Sequence, residues 1–191
     1  NTVQSDGATS GSNTSVRSYA HRRVRSSQAN VSNNIFSNIR TGSGSHFALG
    51  NTGGQYLSDY NALYAANSAT LGEWNTTSTD FAAWKSTSMR DNGSVNQQAT
   101  FVSATNLHLA APSIGNNAFA GRPVNGISTD FDNQARSATF PYMGADENPA
   151  NPLTGSIPVL NGPLYTVGAS GNYLNLTAVA YALNNSTVAA D

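Results

Sequence analysis

Short apolar runs broken by Gly, Ser and Asn dominate residues 1 to about 57, and they limit this part of the chain to strands of a few residues each. In the run VSNNI at 31–35, alternation predicts that Val31 and Ile35 share one strand face, and Ile39 continues the same parity. An Asn-Asn pair at a strand corner suits a coiled parallel sheet, in which stacked Asn side chains form ladders. We therefore expect residues 1–57 to be the last rungs of a parallel β-helix, with further rungs upstream because so short a stack leaves its ends bare.

Composition favours a folded chain with a polar, weakly charged surface. Only 10% of residues are charged, against about 25% in ordinary soluble domains. Eight Tyr, seven Phe and two Trp argue against disorder. The net charge of −1 gives no basic surface for nucleic acid, and no stretch approaches the roughly 20 apolar residues of a membrane span. Because the chain has no cysteine, disulfides and thiolate metal sites are excluded.

Residues 58–147 are irregular and are interpreted as a loop-rich cap of the β-helix. Ser78 or Thr79 is expected to begin a short helix that carries Phe81 and Trp84 on one buried face. Two further short strands are predicted at 101–102 and 107–109. All seven prolines follow residue 111, which favours loops in this part of the chain.

A boundary is expected at 148–161, because the run NPANP at 148–152 disfavours regular structure. Residues 162–191 are interpreted as the N-terminal strand and capping helix of a following, incomplete module. The strand is predicted at 164–167. The helix is predicted from an apolar stripe with helical spacing, after a possible N-cap at Asn175. Its members are Leu176, Val179, Ala180 and Leu183.

Residues 31–147 resemble the C-terminal part of right-handed parallel β-helix repeat proteins of the pectate-lyase-like superfamily. The matching words are NNIFSN at 33–38, SDYNALY at 58–64, TDFAAW at 79–84, SV at 94–95, FV at 101–102, LHL at 107–109, TDFDNQAR at 129–136 and MGADE at 143–147. An Asp-Pro usually precedes the Phe-Val pair, whereas this chain has Ala99-Thr100. Residues 162–183 look like the start of a module common in very large surface proteins. The resemblance implies an all-β solenoid end with irregular capping loops and one or two short helices. It also implies a bacterial outer-surface protein of the kind exported by the type IX system.

Acidic residues near the end of the predicted cap have two interpretations. Asp130 and Asp132 could ligate Ca²⁺ through alternate carboxylates, but the run offers no third or fourth oxygen ligand. Capping of turns and pairing with Arg136 is therefore favoured. Asp146 and Glu147 could belong to an acid/base pair with a distant carboxylate. The resemblance places both in the terminal cap, which favours a structural role.

The run HRRVR at 21–25 is the only basic cluster. In a strand, His21, Arg23 and Arg25 share one face, which could bind sulfated or uronic polysaccharide or supply a lyase-type base. A solvated outer face is the favoured alternative. His46 and His108 lack the spacing of a zinc site.

Several aromatic side chains could stack on sugars. They are Trp74, Trp84, Tyr56, Tyr60 and Tyr64. Core packing is favoured for Trp84 and for at least two of the tyrosines.

We expect a non-catalytic structural or adhesive module of a large secreted or cell-surface repeat protein. The alternative is a fragment of a polysaccharide lyase or glycoside hydrolase whose active cleft lies upstream, since one solenoid fold hosts both roles. No catalytic, cofactor-binding or metal-ligating residue is assigned, and Ca²⁺ is the only cofactor left open. The expected partners are further modules of the same chain, extracellular or cell-surface polysaccharide, or a secretion or anchoring complex.

Overall fold

The computed structural model describes residues 1–24, 29–53, 56–155, 159–160 and 187–188, and these are mainly β-structure, as an all-β class predicts. The strands are β1 (Thr2–Ser5), β2 (Ala8–Thr9), β3 (Arg17–Arg23), β4 (Ala29–Ser32), β5 (Ile35–Asn38), β6 (Thr41–Gly42), β7 (Ser45–Asn51), β8 (Tyr56–Asp59), β9 (Ala62–Ala65), β10 (Gly72–Trp74), β11 (Thr77–Thr79), β12 (Phe101–Ser103), β13 (Asn106–Leu109), β14 (Val159–Leu160) and β15 (Thr187–Val188).

One α-helix, α1 (Phe81–Ser88), and two single turns of 3-10 helix, Ser68–Thr70 and Asn117–Phe119, interrupt the strands of the described ranges. The helix begins two residues later than a Ser78 cap predicts and one later than a Thr79 cap predicts, because Asp80 is the N-cap and its Oδ1 accepts the Ala83 N–H at 2.7 Å. No helix in these ranges has the length and apolar character that a membrane crossing requires.

Parallel pairing relates successive strands. Strands β1, β5 and β9 form one parallel sheet, and β3, β7 and β10 form the parallel part of another. Ile35 lies opposite Thr2 and Ala62 lies opposite Ile35, so strands of the first sheet recur after 33 and then 27 residues. The pairs β2–β6 and β4–β8 are also parallel, and Val95 adds an isolated parallel bridge to Ala62. Parallel pairing thus continues past residue 57, where the sequence predicted the cap to begin.

The predicted ladder of Asn side chains is confirmed. Asn1 Nδ2 donates to Asn34 Oδ1 at 3.1 Å, and Asn34 Nδ2 donates to Asn61 Oδ1 at 2.9 Å. Asn33 and Tyr60, which directly precede the ladder residues Asn34 and Asn61, have φ of 56° and 52°. These left-handed residues turn the chain between one strand and the next, so each ladder Asn stands at a corner.

Two buried clusters lie on opposite faces of the β1–β5–β9 sheet. The first contains Val31, Phe36, Ala48, Leu49, Tyr56, Leu63, Ala65, Leu71 and Trp84. The second contains Ile35, Ala62, Ala99, Leu109, Phe119, Tyr142, Met143 and Leu153. The prediction that Val31 and Ile35 share one face is wrong, because the turn at Asn33 separates them.

The segment that follows the strands packs directly on this sheet. Ala145 N–H donates to Thr2 Oγ1 at 2.8 Å, and Gly144 N–H donates to the Asn33 carbonyl at 2.8 Å. A Cβ on Gly144 would lie 2.7 Å from Thr2 Oγ1 and 2.8 Å from Ile35 Cδ1. Gly144 also has φ of 97°, so this close approach of backbone to sheet requires glycine.

The chain divides into two compact units, residues 1–153 and 154–191. In the second unit, β14 and β15 pair in parallel, with Val159 opposite Thr187. The predicted linker 148–161 spans the division, and its residue Leu153 is 5% exposed in the second buried cluster. The strand predicted at 164–167, and the helix predicted from its stripe at 176–183, lie outside the described residues.

Candidate functional site

The titratable groups of residues 106–147 converge on one region, which we take as the candidate site. It is built from the antiparallel hairpin β12–β13, the turn at 130–134 and the segment 142–147. The two strands predicted at 101–102 and 107–109 are confirmed as this hairpin. Leu109 anchors the hairpin in the second buried cluster at 4% exposure, which holds the preceding strand residues close to the turn.

Asp130 organises the turn through both of its carboxylate oxygens. Oδ1 accepts the main-chain N–H groups of Asp132 at 2.9 Å and Gln134 at 2.8 Å. Oδ2 accepts the Glu147 N–H at 3.0 Å, and the residue is 8% exposed. The predicted turn-capping role is therefore confirmed for Asp130, whose oxygens are occupied by backbone donors.

His108, Asp132 and Asp146 form a compact group, which we call the His108 cluster. Each offers one ligand-type atom, and these atoms all lie within 4.8 Å of one another. His108 Nε2 is 2.7 Å from Asp132 Oδ2, while Asp146 Oδ2 accepts the Leu109 N–H at 2.7 Å. The hydrogen bond to Asp132 raises the pKa of His108, and burial raises the pKa of the Asp146 carboxyl.

Arg136 pairs with Glu147, not with the aspartates that the sequence suggested. Its Nη1 donates to the Tyr142 carbonyl at 2.9 Å and its Nη2 to the Gly144 carbonyl at 2.7 Å. The Glu147 carboxylate lies 3.7 Å from Nη1 and accepts the Tyr142 N–H at 3.1 Å. The Arg136 guanidinium and the Glu147 carboxylate hold the backbone of residues 142–147 in place. The predicted pairing of Arg136 with Asp130 or Asp132 is wrong.

Two residues of the basic run, His21 and Arg23, do not lie on a solvated strand face. The His21 ring stacks on Phe36 at 4.9 Å between centroids, and burial lowers its pKa. Arg23 is 7% exposed and donates to Asn51 Oδ1 at 3.1 Å, as well as to the Gly53 carbonyl. The favoured prediction of an outer face is wrong for both residues, because the register of β3 turns them toward the interior. Arg25 lies outside the described residues.

The aromatic residues serve mainly in packing. Trp84 is fully buried, and Trp74 meets it edge to face at 5.4 Å between ring centroids. Tyr56 is 1% exposed in the first cluster, and Tyr60 packs against the second. Core packing is thus confirmed for Trp84 and two tyrosines, while Tyr64 is half-buried.

A cavity of about 270 Å³ lies beside the Asn33 corner. It is lined by Asn33, Asn34, Arg122 and Arg136, with Val124 and Ile127 among the apolar residues. Arg122 stacks over Tyr60 and Phe140 at 4.9 and 5.4 Å. The cavity therefore has a cationic wall.

Sequence reasoning missed the contact of His108 with Asp132, which are 24 residues apart. A motif of two histidines at helical spacing identifies only zinc ligands that lie on one helix. It cannot detect ligands that come from separate loops. One local signal existed: in the alternating strand β13, His108 faces away from the neighbouring leucines and toward the polar side.

Comparisons with protein-family models, with curated proteins and with solved structures gave no match to this chain.

Proposed function

We propose that residues 1–153 are the closing end of a right-handed parallel β-helix, in a non-catalytic structural or adhesive module of a large secreted or cell-surface repeat protein. The observation that carries this proposal is the recurrence of parallel strands β1, β5 and β9 with a ladder of Asn1, Asn34 and Asn61 at their corners. Stacks of this kind contact only their neighbours along one axis and form stiff rods. Such a rod suits projection of a binding surface from a cell.

The end of the stack has a physical basis in the change of strand direction. Strand β11 pairs antiparallel with β10, with Thr79 opposite Gly72. Because β11 runs antiparallel to β10, it ends the row of parallel strands β3, β7 and β10 at this edge of the sheet. The following chain then covers one face of the β1–β5–β9 sheet with Phe119, Tyr142 and Met143. Pairing with β11 occupies the outer edge of β10, which blocks parallel addition of a further strand there.

The other end of the stack offers a surface for another coil. Among the described residues, β1 pairs only with β5, β2 only with β6, and β3 only with β7. These three strands therefore present free edges in parallel orientation. A preceding coil of the same protein would satisfy their main-chain groups, as repeat architectures require.

The non-catalytic part of the proposal follows from how the acidic groups are used. Asp146 and Glu147 each accept a main-chain N–H, and each is at least nine-tenths buried. Catalytic carboxylates need access to a substrate proton. These two groups instead hold the backbone of the hairpin and of the cap.

The proposal is tested on the parent protein from its native source, by intact mass and by peptide coverage on both sides of residues 1 and 191. We expect a mass many times 19.9 kDa, further parallel coils, and cleavage by protease added to intact cells. A mass near 19.9 kDa, or protection inside intact cells, would contradict the proposal.

A second assay addresses the enzyme alternative. Because that alternative places the active cleft upstream of this chain, the parent protein from its native source is incubated with acidic and neutral polysaccharides, and new reducing ends and unsaturated products are measured. We expect none. Product release by the parent protein would favour the lyase or hydrolase alternative.

A further inference from the structure

The His108 cluster has donor atoms from three separate segments of the chain. His108 lies on β13, Asp132 in the turn at 130–134, and Asp146 in the segment that packs on the first sheet. His108 and Asp132 are partly exposed, with side-chain exposures of 39% and 35%, whereas Asp146 is 6% exposed. One buried and two accessible ligands leave an open side for entry of an ion and for water.

Asn106 holds the His108 ring in the orientation of a metal ligand. The His108 main-chain N–H donates to Asn106 Oδ1 at 3.1 Å, which identifies that atom as the amide oxygen. The same oxygen contacts ring Nδ1, so Nδ1 carries a proton and donates it. In the metal-free protein Nε2 donates its own proton to Asp132, and once that proton leaves, the Nε2 lone pair faces Asp132. Metal-bound histidines are typically fixed by this kind of bond from the other ring nitrogen to an oxygen acceptor.

We propose that the His108 cluster binds a divalent transition-metal cation of the Zn²⁺ type through His108 Nε2 and one oxygen each of Asp132 and Asp146. Nitrogen and carboxylate ligands bind Zn²⁺ at about 2.0–2.2 Å, which places ligand atoms roughly 3–3.5 Å apart. The ligand-type atoms of the three residues now lie within 4.8 Å of one another, so binding requires them to draw together by up to about 1–2 Å. The cation takes the place of the proton shared by His108 and Asp132.

The donor set favours a transition metal over Ca²⁺. Calcium takes six to eight oxygen ligands, whereas an imidazole nitrogen suits zinc, copper or nickel. The pair Asp130 and Asp132 considered for Ca²⁺ does not converge on one ion here, because Asp130 binds three main-chain N–H groups. The ion would tie the hairpin β12–β13 to the segment that covers the β1–β5–β9 sheet.

The test is titration of ZnCl₂ into the tag-free 191-residue chain by calorimetry, with CaCl₂ as a parallel titrant. We expect one Zn²⁺ per chain with micromolar affinity, and weaker binding by at least about tenfold in His108→Gln and in Asp132→Asn. Asn106→Ala, which keeps all three ligands, should also weaken binding. Asp6→Asn is the matched control, because Asp6 is exposed and remote in sequence from the site, and its affinity should equal that of the wild type.

Histidine ring signals in NMR locate the ion. The chain has three histidines, and we expect Zn²⁺ to shift the ring signals of His108 while those of His21 and His46 stay unchanged. Zinc affinity that is equal in wild type, His108→Gln and Asp132→Asn would overturn the proposal, as would Ca²⁺ binding without Zn²⁺ binding. Since Asp132 is exposed, Asp132→Asn keeps the test valid should His108→Gln fail to fold.

Discussion

Replacing Asn61 by Ala should destabilise the first unit severely, because this side chain satisfies main-chain groups of residues 31–34. Asn61 is fully buried. Its Oδ1 accepts the Asn34 N–H at 2.9 Å, and its Nδ2 donates to the Val31 carbonyl at 2.9 Å. The same Nδ2 also lies 3.3 Å from Asp91 Oδ1. Alanine provides neither the donor nor the acceptor.

The magnitude follows from the two main-chain groups that lose this partner. A buried polar group left without a partner costs about 1–3 kcal/mol, so Asn61→Ala should lower the free energy of unfolding by about 2–6 kcal/mol. Total stabilities of about 5–15 kcal/mol make such a loss large. Asn61→Asp should be at least as damaging at neutral pH, because it adds a negative charge beside Asp91 and the Val31 carbonyl.

The assay is urea unfolding of the 191-residue chain, followed by the fluorescence of Trp74 and Trp84, its two tryptophans. Asn96→Ala is the control, because Asn96 is exposed, and surface changes of this type usually stay within about 0.5 kcal/mol. A loss below about 1 kcal/mol for Asn61→Ala would refute the reasoning. The ladder would then be a consequence of strand stacking and not a source of stability.

Three further changes probe other contacts of the first unit. Gly72→Ala should lower stability by about 1–3 kcal/mol in urea unfolding, because the added Cβ collides with the Trp84 ring. Asp80→Ala should cost about 1 kcal/mol through loss of the helix N-cap, and Asp80→Ser should restore most of it. Burial raises the pKa of Asp59 to about 6. Folding therefore favours the protonated carboxyl, so the contribution of Asp59 to stability is present at low pH and is lost as pH rises through 6. Asp59→Asn should therefore gain about 2–3 kcal/mol over wild type between pH 4 and pH 7 in pH-dependent unfolding.

Local chemistry in the sequence was sufficient to predict the elements that depend on neighbouring residues. The Asn ladder followed from an Asn-Asn pair between two apolar strand residues, and the hairpin β12–β13 from two short apolar runs. The helix was also predicted, although its cap is Asp80 and not Ser78 or Thr79. An Asp before an apolar run serves as well as Ser or Thr at this position, so residue type does not decide among neighbouring polar residues.

Long-range contacts were not predictable for a physical reason. Strand alternation shows that Ile35 and Phe36 point to opposite faces, but not which segment covers either face. The chain that approaches Ile35 is at Gly144, more than a hundred residues later in the sequence. The left-handed turn at Asn33 also broke the alternation that joined Val31 to Ile35, and no neighbouring glycine marked that turn.

The β1–β5–β9 sheet and the chain that covers it belong to one compact unit. Ile35 and Ala62 contribute to the second cluster, yet their strands also carry Phe36 and Leu63 of the first. Removing the segment that contains Met143 would expose one face of the same sheet whose other face forms the inner core. The predicted division at residue 57 is therefore a change in chain path inside one compact unit, which ends at residue 153.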